Sequence, residues 1–303
     1  MKGVVVGVDG SSNCVSAVDF AAAEAAMRDL PLSIVHVRES DPWRLVGQRE
    51  DPPIDPDRVL REACRRAADR YPSLTVSATA LDGHPASVLI ELSADAQLTV
   101  VGSRGRGGFL GLAAGSVCIQ LAGRGRGPVV VSRGTWTGHV SDPVVVGIDA
   151  AAPARDAIDF AFTEAALRGV SLEAVYAWSQ DTLARAVPQP AYNFAGATEQ
   201  AILLLAGVIG GWVQRYPMVT VEPIVEHSLN PPAAMLAASR RAGLVVVGAH
   251  GTGALRRLLL GSVVQTLAHH CDCPLAVVHA TDHRPASTIS AVHATRNQGP
   301  VGR

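Results

Sequence analysis

The sequence predicts an α/β protein made of two tandem doubly wound domains, and three observations carry that prediction. The chain of 303 residues suits two domains of ordinary size. It repeats itself: Val5-Val6-Gly7-Val8-Asp9 returns 140 residues later as Val145-Val146-Gly147-Ile148-Asp149. Short β-branched apolar runs alternate with longer segments of helical periodicity, the pattern of strand–helix–strand units. The repeat extends well beyond the first match. Asp19-Phe20-Ala21 recurs as Asp159-Phe160-Ala161, and Glu24-Ala25-Ala26 as Glu164-Ala165-Ala166. Arg70-Tyr71-Pro72 returns as Arg215-Tyr216-Pro217, and Leu98–Gly102 as Leu244–Gly248, so the offset drifts by only six residues. A period near 140 is too long for a solenoid unit, so it marks two copies of one domain. The boundaries expected are 1–137 and 138–281, with 282–303 an aperiodic, mobile tail.

In the first copy, strands are expected near 3–9, 32–38, 74–80, 98–102 and 128–132. Val4-Val5-Val6 and Leu98-Thr99-Val100-Val101 are continuous rather than alternating, as in parallel strands covered on both faces. Helices are expected over Ser12–Asp29 and Asp57–Arg70, where Ala, Glu and Arg recur at helical spacing. The second copy repeats the order, with strands near 143–149, 171–177, 219–226, 244–248 and 274–279. Gly123-Arg124-Gly125-Arg126-Gly127 puts glycines where the first copy's last helix should end, which predicts a short or frayed helix.

Open parallel sheets bind ligands at the carboxyl ends of their strands, where the strand order reverses. Three features fall at such ends in each copy. A carboxylate closes the first strand, Asp9 or Asp149, and the second strand exits near Val37 or Ala177. After the fourth strand comes a duplicated glycine constellation. It reads Gly102-Ser103-Arg104-Gly105, nine residues, then Gly115-Ser116; in copy two, Gly248-Ala249-His250-Gly251, nine residues, then Gly261-Ser262. Glycines there let the backbone turn sharply and approach a ligand closely. The later Gly-Ser opens a helix, whose free N–H groups and dipole favour an anion. A carboxylate at one end and an N–H cradle at the other suit an amino-bearing base joined to a polyphosphate, with ATP the natural candidate.

Val100-Val101-Gly102-Ser103-Arg104-Gly105-Arg106-Gly107-Gly108, followed by Gly115-Ser116-Val117, resembles the ATP-binding branch of the universal stress protein family. Val6-Gly7-Val8-Asp9-Gly10-Ser11-Ser12 is similar to that family's opening strand, and the likeness covers about 1–133 and 143–279, the tandem form common in actinobacteria. The resemblance implies five parallel strands per domain in the order 3-2-1-4-5, flanked by helices. It implies adenine near Asp9 and Val37, with ribose and phosphates near Val101, Gly102, Gly105, Gly115, Ser116 and Val117. By position the second copy would use Asp149, Ala177, Val247, Gly248, Gly251, Gly261, Ser262 and Val263. Such proteins commonly bind ATP, often with Mg²⁺, and act in stress adaptation or growth control. Copy two departs from the pattern: Ala150-Ala151 replaces Gly-Ser after the aspartate, and Ala249-His250 replaces Ser-Arg.

The sequence also excludes much. Lys2 is the one lysine, which removes a phosphate-loop lysine, a pyridoxal Schiff base and a kinase-type lysine. Neither a dinucleotide G-x-G-x-x-G after the first strand nor a nucleophile elbow is present. A net charge of -1 and 4% aromatic residues give no nucleic-acid footprint. The opening apolar run stops at Asp9, too soon for a signal peptide, and the longest, Ala201–Val213, is too short to span a bilayer. Five scattered cysteines fit a reducing cytoplasm, and the spacing of His269-His270-Cys271-Asp272-Cys273 is poor for structural zinc. His84 and His227, just before the third helices, are expected at the surface rather than acting as bases. The leading expectation is a nucleotide-dependent switch with an unidentified regulatory partner and a homodimeric assembly. Alternatives are a slow ATPase or phosphotransferase helped by Asp9 or Asp149, and a nucleotide-free scaffold dimerising through the edges of the fifth strands.

Overall fold

The computed structural model describes residues 3–39, 55–105, 114–133, 141–188, 193–249 and 260–280. The tail, most of the interdomain segment and most of the stretches between the paired glycines of each copy lie outside the described residues. The first half contains β1 (Val4–Gly7), α1 (Ser12–Met27), β2 (Leu32–Arg38), α2 (Pro56–Arg70) and β3 (Val76–Asp82). It continues with α3 (Pro85–Leu92), β4 (Leu98–Gly102), α4 (Ser116–Arg124) and β5 (Val129–Ser132). The second half contains β6 (Val144–Gly147), α5 (Arg155–Arg168), β7 (Leu172–Trp178), α6 (Gln180–Ala186) and α7 (Phe194–Arg215). It closes with β8 (Val221–His227), α8 (Pro231–Ser239), β9 (Leu244–Gly248), α9 (Ser262–His270) and β10 (Leu275–Val278).

Sequence chemistry sets many of the ends. The Asp55 side chain accepts from Asp57 N at 3.0 Å and Pro56 opens α2 with its φ already helical. Asn193 and Asn230 cap α7 and α8 in the same way, and α5 stops at Gly169, whose φ of 66° is left-handed. β1 is shorter than expected because the chain leaves the ladder at Val8 and turns at Gly10, where φ is 77°. α4 is not frayed. It has nine residues, as α9 does, and the missing side chain at Gly123 leaves room for Leu260 of the second half.

Within each half all strand pairs are parallel and the order is 3-2-1-4-5. Val4, Val5, Val6 and Val144, Val145, Val146 are fully buried, as their continuous runs require. The halves do not form separate sheets. β5 and β10 pair antiparallel, Val131 opposite Leu275 and Val129 opposite Val277, to make one ten-stranded sheet. This corrects the expected dimer through strand-five edges: an apolar edge needs covering, and the chain covers each with the other. It also turns the carboxyl ends of the two half-sheets toward opposite rims.

A buried ion square crosses the same junction. Glu24 of α1 and Arg28 at its C-cap face Glu164 and Arg168 of α5, and each arginine contacts both glutamates. Both glutamates are 0% exposed, so each carboxylate depends on its guanidinium partners for charge balance. Burial, then the like charge of Glu24, pushes the Glu164 carboxyl up to about 7 despite the arginines. The folded chain therefore keeps a proton that the unfolded chain has released. Stability contributed by this group is present below about pH 4.5 and lost as pH rises through about 7. A urea midpoint lower at about pH 8 than at about pH 5, with the difference abolished in Glu164→Gln, checks this.

α7 extends the 13-residue apolar run to a helix of 22 residues, long and apolar enough by length and composition to cross a membrane. One of its faces, Ala197, Ala201, Leu205 and Ile209, is packed into the protein core.

Candidate functional site

Each predicted site begins where β1 or β6 stops. The last registered pairs are Gly7 with Val35 and Gly147 with Val175, so Asp9 and Asp149 follow two residues past the ends of β1 and β6. Both Val37 and Ala177 are half-buried and lie past the end of the neighbouring strand, so no strand flanks them on that side. His36, directly before Val37, is buried and its Nδ1 donates to Val8 O at 2.9 Å, holding the exit of β1.

The aspartates shape the turns that follow. Asp9 Oδ1 accepts from Ser11 N at 3.0 Å, and Asp149 Oδ1 accepts from Ala151 N at 3.1 Å. Copy two thus keeps the turn despite its Ala-Ala, because the donor is a backbone N–H. It loses the Ser11 hydroxyl, which in copy one reaches Arg104 O at 3.4 Å and ties the first loop to the fourth. Asp9 is half-buried whereas Asp149 is exposed.

The glycine constellation meets Asp9 directly. A Cβ at Gly105 would lie 2.6 Å from Asp9 Oδ2, so the aspartate occupies the space a side chain would take. A Cβ at Gly115 would lie 3.5 Å from Gly105 N, which brings the two glycine segments together. Gly102 is pressed against the start of α1, 3.0 Å from Asn13 O by the same measure. In copy two the corresponding position, Gly248, would meet Ala154 Cβ at 2.5 Å at the start of α5. Val101 and Val247 are buried behind these loops. Gly251 and His250 lie outside the described residues, so the counterpart of the Asp9–Gly105 contact is not among them.

The helix ends are placed as predicted. Gly115 and Gly261 are the N-caps of α4 and α9, neither with a side-chain cap. Ser116 and Ser262 are exposed first residues, with Val117 and Val263 half-buried behind them. Uncapped first-turn N–H groups are the donors an anion would use.

Residues beneath the loop were not singled out from sequence. Ser103 N donates to Ser132 O at 3.0 Å, Ser16 and Ser132 hydroxyls are 2.8 Å apart, and the Cys118 thiol donates to Ser103 O at 3.2 Å. Burial holds the Cys118 thiol up, at about 11, so it serves as a neutral donor. Burial and then the Asp9 charge raise Cys14 as well. In copy two Ala249 N donates to Val278 O at 2.9 Å, preserving the same anchor without the serines. Small polar residues of this kind carry no spacing signal in a sequence. His84, before α3, and His227, the last residue of β8 before α8, are exposed; His227 stacks edge-on to Trp178, with ring centroids 4.8 Å apart.

A cleft of about 770 Å³ lies elsewhere, between the halves, where Arg28, Arg126, Arg155, Trp212 and His279 are among the lining residues. It contains none of the predicted site residues. No group of three or more His, Cys, Asp or Glu side chains able to hold a metal ion is found among the described residues.

The model of the universal stress protein family matches residues 1–133 and again 141–279. A universal stress protein of Mycobacterium tuberculosis is 36% identical over 295 residues, covering 91% of this chain and 96% of its own length. One from Mycolicibacterium smegmatis is 34% identical over 288 residues, again covering 91% and 96%. The crystal structure of a universal stress protein from Archaeoglobus fulgidus superposes with a TM-score of 0.63 at 17% identity, covering 91% of this chain and 98% of that one, a likeness of fold. Two matches to one family model, in the two halves of a duplicated sheet, and relatives similar along nearly their whole length place the chain in the universal stress protein family as a tandem-domain member.

Proposed function

We propose that each half of this protein binds ATP at the carboxyl end of its half-sheet, and that the protein acts as a nucleotide-dependent switch in stress adaptation or growth control. The observation that carries this reading is the Asp9–Gly105 contact, 2.6 Å from carboxylate to the glycine's absent Cβ, beside the uncapped start of α4. The residues fit the ligand: a carboxylate next to an open strand exit can accept from an exocyclic amine, and bare first-turn N–H groups can hold phosphate oxygens. Bound ATP, with Mg²⁺ where present, would supply the polyanion whose arrival the loops register. Asp9 and Val37, or Asp149 and Ala177, would take the base. Val101, Gly102, Gly105, Gly115, Ser116 and Val117, with Val247, Gly248, Gly251, Gly261, Ser262 and Val263, would take the ribose and phosphates. The domain bounds suited to this reading are 1–137 and 138–281, and the setting is the cytoplasm, with a regulatory protein reading the loops.

Saturation with Mg-ATP, removal of the excess, denaturation and chromatography count the nucleotide held by each chain. Two ATP per chain are expected. One would restrict the reading to a single half, ADP alone would favour slow hydrolysis, and none would overturn it.

A further inference from the structure

Half two ends its last helix with chemistry that half one lacks. Cys271-Asp272-Cys273 stands where half one has Gly125-Arg126-Gly127. The glycine at 125 is enforced by packing, since a Cβ there would meet Val129 Cγ2 at 2.7 Å and Leu121 O at 2.9 Å. The equivalent turn of half two holds two thiols instead. Cys271 caps α9, its N–H donating to Leu267 O at 2.8 Å, and its Sγ lies 3.8 Å from that of Cys273. Both residues are buried, while Asp272 between them is exposed. The pair is electrostatically unequal. A hydrogen bond from Cys273 holds Cys271 down to about 7 against burial, with the Ser239 hydroxyl and the Arg133 guanidinium assisting. Cys273 is pushed upward by the same neighbour and by burial. Arg133 comes from the other half: it follows β5 and its Nη2 donates to Ala268 O near the end of α9. The arrangement separates an attacking sulfur from a proton-bearing one, as in reactive dithiols. The other three cysteines all have raised pKa values, chiefly through burial.

We propose that Cys271 and Cys273 form a reversible redox site that reduces hydrogen peroxide and closes to an intrachain disulfide. The Cys271 thiolate attacks one peroxide oxygen, the O–O bond breaks, and the departing hydroxide takes up the proton that Cys271 had shed. Cys271 is then a sulfenic acid. The Cys273 sulfur attacks Cys271 Sγ, the S–O bond breaks, and the Cys273 proton leaves with the hydroxyl as water. Two thiols and one peroxide give one disulfide and two waters, and a dithiol reductant reverses the change.

The test exposes the reduced, folded full-length chain to substoichiometric hydrogen peroxide, blocks remaining thiols and maps the peptides by mass. The expected product has lost two hydrogens, linked between 271 and 273, with Cys14, Cys64 and Cys118 still reduced. The rate should rise with pH through about 7, the region where Cys271 ionises. Cys273→Ser should stop at a sulfenic acid that a dimedone probe traps on Cys271. Peroxide consumed at Cys14 or Cys64 while 271 and 273 stay reduced would overturn the proposal, as would a link from either to another cysteine. The wild-type map decides the matter even if a serine variant fails to fold.

Discussion

Arg28→Met is expected to destabilise the protein by about 3–5 kcal/mol, read as a lower urea midpoint. Arg28 contacts both Glu24 and Glu164, and both carboxylates are wholly buried. Above about pH 7, where Glu164 has released its proton, removing Arg28 leaves two negative charges to share Arg168, which already contacts both. Burial alone pulls the Arg168 guanidinium down, but the two glutamates outweigh it and hold its pKa raised, so it stays charged in every relevant condition. The unpaired carboxylate has no water to turn to, and the cost is that of an uncompensated interior charge rather than of one lost contact. Removing Glu24 together with Arg28, as Glu24→Leu with Arg28→Met, leaves the neutral Glu164–Arg168 pair of α5 intact. That double variant should recover most of the loss. A cost below about 1 kcal/mol for Arg28→Met would mean the square contributes no more than a surface ion pair.

Gly105→Val should reduce the nucleotide count from two per chain to one, with little change in the unfolding midpoint. The valine Cβ would fall within 2.6 Å of Asp9 Oδ2, a separation that real Cβ atoms do not adopt, so the carboxylate must swing away from the crevice. Gly105 is exposed in a loop, and the packed interior has no reason to respond. Gly248→Val should act differently. Its Cβ would meet Ala154 Cβ at 2.5 Å, pushing the start of α5 off β9, so loss of nucleotide in half two should come with loss of stability. Two nucleotides per Gly105→Val chain at unchanged affinity would overturn the assignment of that site.

Much of this architecture could be read in advance because buried parallel strands must be apolar without interruption. Val4-Val5-Val6 and Leu98–Val101 could hardly be anything else, and their repetition carried the pattern to the second half. The positions of Asp9 and the glycines at strand and helix ends were legible for a related reason: a carboxylate closing an apolar run and glycines at fixed separation mark where the chain turns. What escaped was how the two halves meet. The antiparallel meeting of β5 and β10 leaves no mark in either strand, since an apolar edge covered by its own chain reads like one covered by another. The ion square left a trace, Glu24 four residues before Arg28 and Glu164 four before Arg168, but that spacing usually means a solvated pair on one helix. Of the short or frayed helix expected for α4, the structure shows a short one that runs through Gly123, with Leu260 packed over the space there.

The head-on pairing of β5 and β10 has a consequence for valence. Because the strands of the two halves run in opposite senses, Asp9 and Asp149 sit on opposite rims of one continuous sheet. Under the proposed reading, a protein small enough to cover one rim would not also reach the other, so the two candidate sites would be two separate addresses rather than one strengthened surface. A chain built this way would present its two ends to different partners, as a linker rather than a single docking face.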